Sequence, residues 1–289
     1  MDQLLQQILS GLATGGVYAS LALALVMIYQ ATESVNFAQG EMAMFSTYIA
    51  WMLVQAGVPF WIAFLLTVGI SFLGGVLIER IVIRPVERAP VLSQVIVFIG
   101  LLVIFNSLAG WIFTYSVKQF PSPFPDKPLF GHTITGHDLG VIGVTVAMLS
   151  LLYVFFRFTP LGLAMRAAAQ NPDSARLVGI RVGWMLAIGW GLAAAVGAVA
   201  GIMVAPVLFL DPNMMSGVLL YAFAGALLGG ISSPGGAVLG GLIVGVLENL
   251  VGTYLIASEL KLSIALALII VILVVKPSGL FGARLVNRV

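Results

Sequence analysis

The sequence predicts an all-α, polytopic membrane protein of eight to nine hydrophobic segments with discontinuous helices. Of its 289 residues, 61% are hydrophobic and only 8% are charged, and the mean hydropathy is +1.12. The chain carries 13 basic and 11 acidic side chains, whereas a soluble domain of this length would carry roughly 70 charges in all. So few charges cannot form the polar shell of a soluble fold. A soluble enzyme, a nucleic-acid-binding protein and a disordered chain are therefore excluded.

The long stretches without charge define the segments in order, because a helix needs about 20 mostly apolar residues to cross a bilayer. The candidates are residues 3–32, 42–78 (divided near 55–59), 91–113, 139–156, 184–210, 212–247 (divided near 232–236) and 262–275. The last stretch is short, so we expect it to borrow residues from its N-terminal flank or to lie in a thinned bilayer. The result is eight spans plus one ambiguous segment, residues 41–54, in a single domain covering residues 1–289.

Glycine is concentrated in the segments near residue 235. Gly236-x-x-x-Gly240 and Gly241-x-x-x-Gly245 are spacings of small residues. Lipid offers helices no hydrophobic reason to associate, and small residues let their backbones approach closely instead. The spacing therefore predicts tight packing of this helix against its neighbours.

The basic residues predict which side of the membrane each connection faces. Most of them lie in three connections, namely Arg80, Arg84 and Arg88, then Arg157, Arg166, Arg176 and Arg181, then Lys276, Arg284 and Arg288. Even numbers of spans separate these connections, so all three share one side, and the positive-inside rule assigns that side to the cytoplasm. The C-terminus is then cytoplasmic and the connection 115–138 external. The side of the N-terminus stays open, because it depends on whether residues 41–54 cross.

A polar break follows the first segment, and no basic residue accompanies it. Irregular backbone at membrane depth is tolerated only where it is buried in protein or lines a cavity. Discontinuous helix ends offer free backbone groups to a zwitterionic solute, and the alternative is a plain polar turn. The candidates for the substrate pathway in this break are Asn36, Phe37, Gln39, Gly40 and Glu41.

The connection 158–182 does not have the composition of a loop. Residues 161–170 predict a short helix, and Asn171 followed by Pro172 predicts the start of a second one with Asn171 as its N-cap. Asp173 would then lie in the first turn, where the helix dipole favours a carboxylate. Two such helices along the membrane surface could dock into a groove on a cytoplasmic partner. The alternative is an interfacial helix held by arginines at anionic lipid.

Few other polar groups interrupt the apolar segments. Glu248 is a candidate for the substrate pathway because a carboxylate within a span is costly; the alternatives are a position near the outer interface or a hydrogen bond to a neighbouring helix. Asn106 is expected to form helix–helix hydrogen bonds. The chain has no cysteine, and His132 and His137 both fall in the connection 115–138. We therefore predict no metal site and no catalytic residue.

Motifs spread over nearly the whole chain carry a resemblance to a known family. They are residues 15–25, the Val-Asn-Phe-Ala-Gln-Gly-Glu run at 35–41, residues 162–180, the Gly-Gly-Ile-Ser-Ser-Pro-Gly-Gly run at 229–236, and the Val-Lys-Pro-Ser-Gly-Leu-Phe-Gly run at 275–282. The chain resembles the inner-membrane permeases of branched-chain amino-acid ABC importers, and among these the H-type subunit. It departs from the closing motif at Lys276, where arginine is common.

The resemblance implies an ABC importer permease fold and one half of a translocation pathway for leucine, isoleucine and valine in the bacterial cytoplasmic (inner) membrane. The implied partners are two cytoplasmic ATP-binding subunits, a second related permease and an external solute-binding protein. The permease itself would be no enzyme and hold no cofactor, in keeping with the absence of a Gly-x-x-x-x-Gly-Lys-Ser/Thr loop. Implied ATPase-coupling residues are Gly162, Arg166, Ala167, Ala168, Asn171, Asp173, Ala175, Leu177, Gly179 and Ile180, and Gly230, Ser233 and Gly236 join the pathway candidates.

Three alternatives stay open on the sequence. A permease of the same family could carry urea or short amides. A stand-alone secondary transporter would show paired broken helices, and the sequence offers only a partial pair, around residues 36 and 233. An intramembrane enzyme is disfavoured because neither a His-Glu-x-x-His motif nor a Gly-x-Ser-x-Gly motif paired with a membrane-depth histidine occurs.

Overall fold

The computed structural model describes residues 2–32, 34–87, 89–125, 128–129, 134–254 and 260–282. Long helices dominate these residues, and a two-stranded antiparallel hairpin pairs Pro128 with Thr135. The elements are α1 (Asp2–Thr32), α2 (Gln39–Gln55), α3 (Phe60–Ile78) with a π turn (Glu79–Ile83) and a 3-10 turn (Arg84–Val86), α4 (Val91–Phe113), β1 (Pro128–Leu129), β2 (Ile134–Thr135), α5 (Gly136–Phe158), α6 (Pro160–Gln170), α7 (Pro172–Leu177), α8 (Val182–Leu208), α9 (Met214–Gly229), α10 (Pro234–Tyr254) and α11 (Lys261–Val275).

The apolar stretches of the sequence coincide with these helices. Within the described residues, six helices are long and apolar enough to cross a membrane: α1, α3 with its π and 3-10 turns, α4, α5, α8 and α10. The remaining apolar helices α2, α9 and α11 have 17, 16 and 15 residues, so helix length alone does not establish the predicted number of eight to nine segments. The described residues are predominantly helical, and six of the helices are long and apolar enough to cross a membrane.

One boundary corrects the sequence analysis. Helix α5 begins at Gly136, so His137 lies in the first turn of a helix and not in the preceding connection. Its side chain is buried, with Nδ1 2.9 Å from Ser122 Oγ and Nε2 3.1 Å from the Met203 carbonyl. Thr135 caps the helix by accepting a hydrogen bond from the Asp138 N–H. That cap moves the start three residues upstream of the first apolar residue.

Helix α1 occupies the centre of the molecule, packed against α8, α9 and α10. Glycines bring α1 and α10 into backbone contact: a Cβ on Gly11 would lie 2.8 Å from Val246 Cα, and one on Gly241 would lie 2.5 Å from Ala19 Cα. Helix α9 approaches the same residue of α10, since a Cβ on Gly225 of α9 would lie 2.6 Å from Gly241 Cα. The predicted close packing through small residues is therefore confirmed.

The described basic connections meet at one end of the molecule, which we call the basic end. The Arg80 guanidinium lies 3.6 Å from the centroid of the Trp184 ring, so the end of α3 meets the start of α8. Ser34 donates to Gln94 at 2.7 Å, which brings the end of α1 to the start of α4. The tail after α11 joins the end of α9, where the Phe281 N–H donates to the Gly229 carbonyl. Which side of the membrane this end faces stays a prediction from the positive-inside rule.

The opposite end holds the start of α1 and the connection after α4. Ser10 of α1 donates to Asp138 at 3.4 Å, and the Phe60 and Phe120 rings are 6.1 Å apart. The N-terminus and the connection 115–138 therefore share an end. Residues 34–55 lead from the basic end to the opposite end. Ser34 contacts Gln94 at the basic end, whereas α2 continues into α3, which begins beside Phe120 at the opposite end.

Some sequence predictions fall outside the described residues. They concern Arg88, His132, Arg284 and Arg288.

Candidate functional site

The segment between α5 and α8 forms two capped short helices. Thr159 caps α6 by accepting a hydrogen bond from the Gly162 N–H at 3.0 Å, while its own hydroxyl donates to the Phe155 carbonyl at 2.7 Å. A Cβ on Gly162 would lie 2.6 Å from Phe156 Cα. Only glycine therefore lets the first turn of α6 fold back against the end of α5.

The second short helix, α7, has a specific cap at each end. The Asn171 side chain accepts from the Ser174 N–H at 2.9 Å, as the sequence predicts. At the other end Gly179 has φ +85°, its N–H donates to the Arg176 carbonyl at 3.0 Å, and the Ile180 N–H donates to the Ala175 carbonyl at 3.0 Å. This pattern is a Schellman motif, which requires a left-handed residue at Gly179.

The two short helices bury one side and expose the other. Ala168 and Ala175 are buried against Val182 and Leu186 of α8, so these alanines pack within the chain. Ala167 and Ile180 are partly buried. The exposed predicted residues are Arg166, Asn171, Asp173, Leu177 and Gly179, and Asp173 forms a 3.0 Å ion pair with Arg176. The exposed fraction is 89% for Leu177 and 77% for the neighbouring Val178, so an apolar tip projects from the basic end.

The polar break before α2 is packed inside the helix assembly. Asn36 and Gln39 are fully buried, Gly40 and Glu41 are buried, and Phe37 is 39% exposed. Asn36 accepts from the Ala38 N–H at 3.0 Å and donates to Gln39 at 3.3 Å, and Gln39 donates to the Ala193 carbonyl of α8 at 2.9 Å. Helix α2 thus begins within the protein, where side chains satisfy the irregular backbone.

Glu41 connects this break to two other parts of the chain. Asn106 of α4 donates to Glu41 at 3.4 Å, to the Pro212 carbonyl at 2.9 Å and to Asn213 at 3.1 Å. Asn106 accepts in turn from the Tyr115 hydroxyl at 3.3 Å. The coil between α8 and α9 is therefore the irregular segment that meets the start of α2.

The predicted break at residues 230–236 lies elsewhere. A Cβ on Gly230 would lie 2.6 Å from the Gly282 nitrogen, and one on Gly236 would lie 3.0 Å from Phe281 Cβ. Ser233 accepts from the Gly236 N–H at 3.1 Å and caps α10. These residues anchor the tail after α11 at the basic end.

Glu248 also lies apart from that break. It accepts a 2.7 Å hydrogen bond from the Tyr18 hydroxyl of α1, and its other oxygen is 3.9 Å from Lys261 Nζ. The next residue, Asn249, donates to the Gln7 carbonyl at the start of α1. The carboxylate therefore lies beside the N-terminal half of α1 and has a hydrogen-bonding neighbour on that helix, which is one of the alternatives that the sequence left open.

Sequence reasoning did not associate Glu41 with residues 209–213. The available signal was the polar run of residues 211–213 between two apolar stretches. In the structure Phe209, at the end of α8, has φ +62°. The contact of residues 209–213 with α2 spans more than 150 residues of sequence, and no local pattern encodes it.

The family model for the branched-chain amino acid transport system / permease component matches residues 7–273. The chain is 32% identical over 303 residues to the "High-affinity branched-chain amino acid transport system permease protein LivH" of Escherichia coli (strain K12), covering 99% of this chain and 97% of that protein. It is 29% identical over 301 residues to the corresponding permease protein BraD of Pseudomonas aeruginosa, covering 99% and 98%.

Among solved structures the chain is similar to "PsaBC from Streptococcus pneumoniae in complex with Fab", with a TM-score of 0.47 and 15% identity over 96% of this chain and 91% of that one. The family model and the full-length relatives carry the assignment: the chain belongs to the family of branched-chain amino acid transport system permease components.

Proposed function

We propose that this protein is one permease subunit of an ATP-driven importer of leucine, isoleucine and valine. It forms half of the translocation pathway, together with a second related permease. Two cytoplasmic ATP-binding subunits bind and hydrolyse ATP, and an external solute-binding protein delivers the amino acid. The complex lies in the bacterial cytoplasmic membrane with the basic end and the C-terminus in the cytoplasm.

The observation that carries the coupling part of the proposal is the tip of α7. Leu177 and Val178 are 89% and 77% exposed, although aliphatic side chains of this size stabilise a protein when they are buried. The caps at Asn171 and Gly179 hold the tip in one conformation, so little conformational entropy is lost when a partner binds it. Leu177 and Val178 occupy a groove on the ATP-binding subunit, and Arg166 and Asp173 contact its rim.

Amino-acid cargo is favoured over the other possibilities by the full-length relatives, whose names give branched-chain amino acid transport. Membership of this permease family disfavours a stand-alone secondary transporter. A related permease for urea or short amides would use the same coupling and differ in the pathway. Transport measurements on the complete complex would therefore distinguish leucine from urea or a short amide as the cargo.

The test is uptake of radiolabelled leucine into proteoliposomes containing both permeases and the ATP-binding subunits, with the solute-binding protein outside and ATP inside. We expect ATP-dependent uptake, and we expect Leu177→Asp to abolish it together with copurification of the ATP-binding subunits. The matched control is Val117→Asp, which changes a 66% exposed aliphatic residue at the opposite end. Uptake by the chain alone, driven by an ion gradient, would refute the proposal, as would normal coupling in Leu177→Asp.

A further inference from the structure

Two carboxylates from distant parts of the chain meet beside the start of α2. Asp211, in the coil between α8 and α9, accepts a 2.7 Å hydrogen bond from the Asn213 N–H. Asn213 accepts from Asn106, and Asn106 also donates to Glu41 at 3.4 Å. The Asn106–Asn213 pair therefore links the Glu41 and Asp211 carboxylates through hydrogen bonds. We call these four residues together with Tyr48 the Glu41 cluster.

Tyr48 provides a second and independent observation. It lies two turns after Glu41 on α2, on the same face of the helix, and its side chain is 0% exposed. Its hydroxyl has no hydrogen-bond partner among the described residues. A long side chain on a helix leans back towards the preceding turns, and for Tyr48 that direction is towards Glu41. A buried hydroxyl without a partner is rare in native proteins, because it loses its hydrogen bonds to water and no protein group replaces them. The hydroxyl is thus available to a bound group.

The cluster lacks positive charge. Among the described residues, neither Glu41 nor Asp211 forms an ion pair with a lysine or arginine. Lys118, whose backbone pairs with Leu210, instead places its Nζ 5.0 Å from the centroid of the Trp51 ring. Carboxylates in a membrane protein are normally paired, because an isolated charge there is strongly unfavourable. A bound cation would supply the pairing that the described residues do not give these two carboxylates.

We propose that Glu41, Asp211 and the Tyr48 hydroxyl bind the ammonium group of the transported amino acid. An ammonium has three N–H donors and no acceptor. The three side chains offer it two carboxylates and one hydroxyl oxygen, and the Asn106 amide holds the Glu41 carboxylate in place. This inference rests on the proposed function, because it takes the cargo to be an amino acid.

The surroundings suit the rest of such a ligand. The Tyr48 ring stacks on Phe113 with centroids 4.5 Å apart, and Phe45 packs edge-on against Phe105 at 5.5 Å. These rings give an apolar wall for an aliphatic side chain and negative ring faces for a cation. The polar residues of the cluster therefore mark the charged end of the ligand, and the aromatic residues mark its apolar end.

Part of the Glu41 cluster lies at the surface of the chain. Asn213 is exposed, and Tyr115, whose hydroxyl bonds to Asn106, is 59% exposed. Asp211 is partly exposed beside them. Glu41 and Tyr48 are buried, so a solute entering beside residues 209–213 reaches them only when the surrounding side chains move.

The test is equilibrium binding of tritiated leucine to the purified complex of both permeases and the ATP-binding subunits in nanodiscs, without the solute-binding protein. Two analogues compete with leucine: 3-methylbutylamine, which keeps the ammonium, and 4-methylpentanoate, which keeps the carboxylate. We expect the amine to compete at least about tenfold better, because hydrogen bonds between charged groups are the stronger ones.

Asp211→Asn keeps an oxygen that accepts from the Asn213 N–H and removes the charge. We expect it to weaken leucine binding about tenfold or more and to remove the preference for the amine. Tyr48→Phe removes no hydrogen bond of the described residues, so it retains the fold, and we expect leucine binding to weaken about threefold to tenfold. Asp138→Asn is the matched control, since this acid is bonded to Ser10 of α1 and has no hydrogen bond to the Glu41 cluster among the described residues. It should bind leucine as the parent does.

ATP-driven leucine uptake by the unaltered complex, measured in parallel, separates this inference from the proposed function. Suppose that the unaltered complex imports leucine while Asp211→Asn and Tyr48→Phe keep the parental affinity and analogue preference. Then the ammonium site is wrong and the proposed function stands. If the unaltered complex fails to import leucine, the proposed function is wrong and this inference with it. Better competition by 4-methylpentanoate than by 3-methylbutylamine would also overturn the ammonium site.

Discussion

Gly179 offers a direct test of whether the shape of the α7 tip, and not only its composition, transmits the coupling. The residue has φ +85° and closes α7 through the hydrogen bond from the Ile180 N–H to the Ala175 carbonyl. A Cβ added at Gly179 would meet nothing within 4 Å. Gly179→Ala therefore changes the backbone preference without creating a steric clash.

The size of the effect follows from this conformation. A left-handed backbone costs an L-residue roughly 1–2 kcal/mol. Because the strain is confined to the cap, it shifts the ratio of capped to uncapped α7 by about 5-fold to 30-fold and leaves the long helices intact. We expect ATP-driven leucine uptake and copurification of the ATP-binding subunits to fall by at most this factor, because only the capped form of α7 binds. Gly179→Asn should fall less, because asparagine tolerates the left-handed region.

The matched control is Gly57, which also has φ +85° and open space around its Cβ position. It lies in the turn between α2 and α3 at the opposite end. Gly57→Ala introduces the same local strain away from α7, so coupling should be retained. Equal losses in the Gly57 and Gly179 variants, or full coupling in Gly179→Ala, would refute the reasoning.

Two further predictions concern the helix assembly. Gly241→Leu should prevent folding of the detergent-solubilised protein, because the added side chain meets the backbone of α1. Its control is Gly143→Leu, whose side chain points into open space and which should keep a monodisperse peak in size-exclusion chromatography. Comparable peaks for the two variants would contradict this account. Tyr18→Phe removes the 2.7 Å hydrogen bond to Glu248 and should lower the free energy of unfolding by about 1–3 kcal/mol. Thermal denaturation should show no such loss for Tyr153→Phe at a 65% exposed tyrosine, and an unchanged midpoint for Tyr18→Phe would show that the bond contributes little.

Much of the fold could be predicted from the sequence because its signals are local. Uninterrupted apolar stretches predict α4 with its observed bounds, Val91–Phe113. The Asn171-Pro172 pair predicts the cap of α7 for the same reason, since the side chain bonds to a backbone group three residues away. The glycine spacing around Gly241 also predicts close packing, although not which helix approaches.

The sequence was less informative where polar residues are few and their partners distant. No local pattern associates Glu41 with Asn106 or with the coil at 209–213, although the structure joins them. The first turn of α5, with His137 buried in it, was also missed, because a side-chain cap and not hydropathy sets that helix start.

The sequence by itself therefore determined the class of protein, the helices and the capped segment between α5 and α8. Burial of apolar residues and caps depend on neighbours within a few turns, and a linear pattern encodes them. Only the tertiary structure decided which end holds the start of α1, where the tail after α11 packs, and that Asn106 joins Glu41 to the coil at 209–213. Those outcomes depend on how helices far apart in sequence fit together, and in lipid this fit is governed by close packing and a few polar contacts.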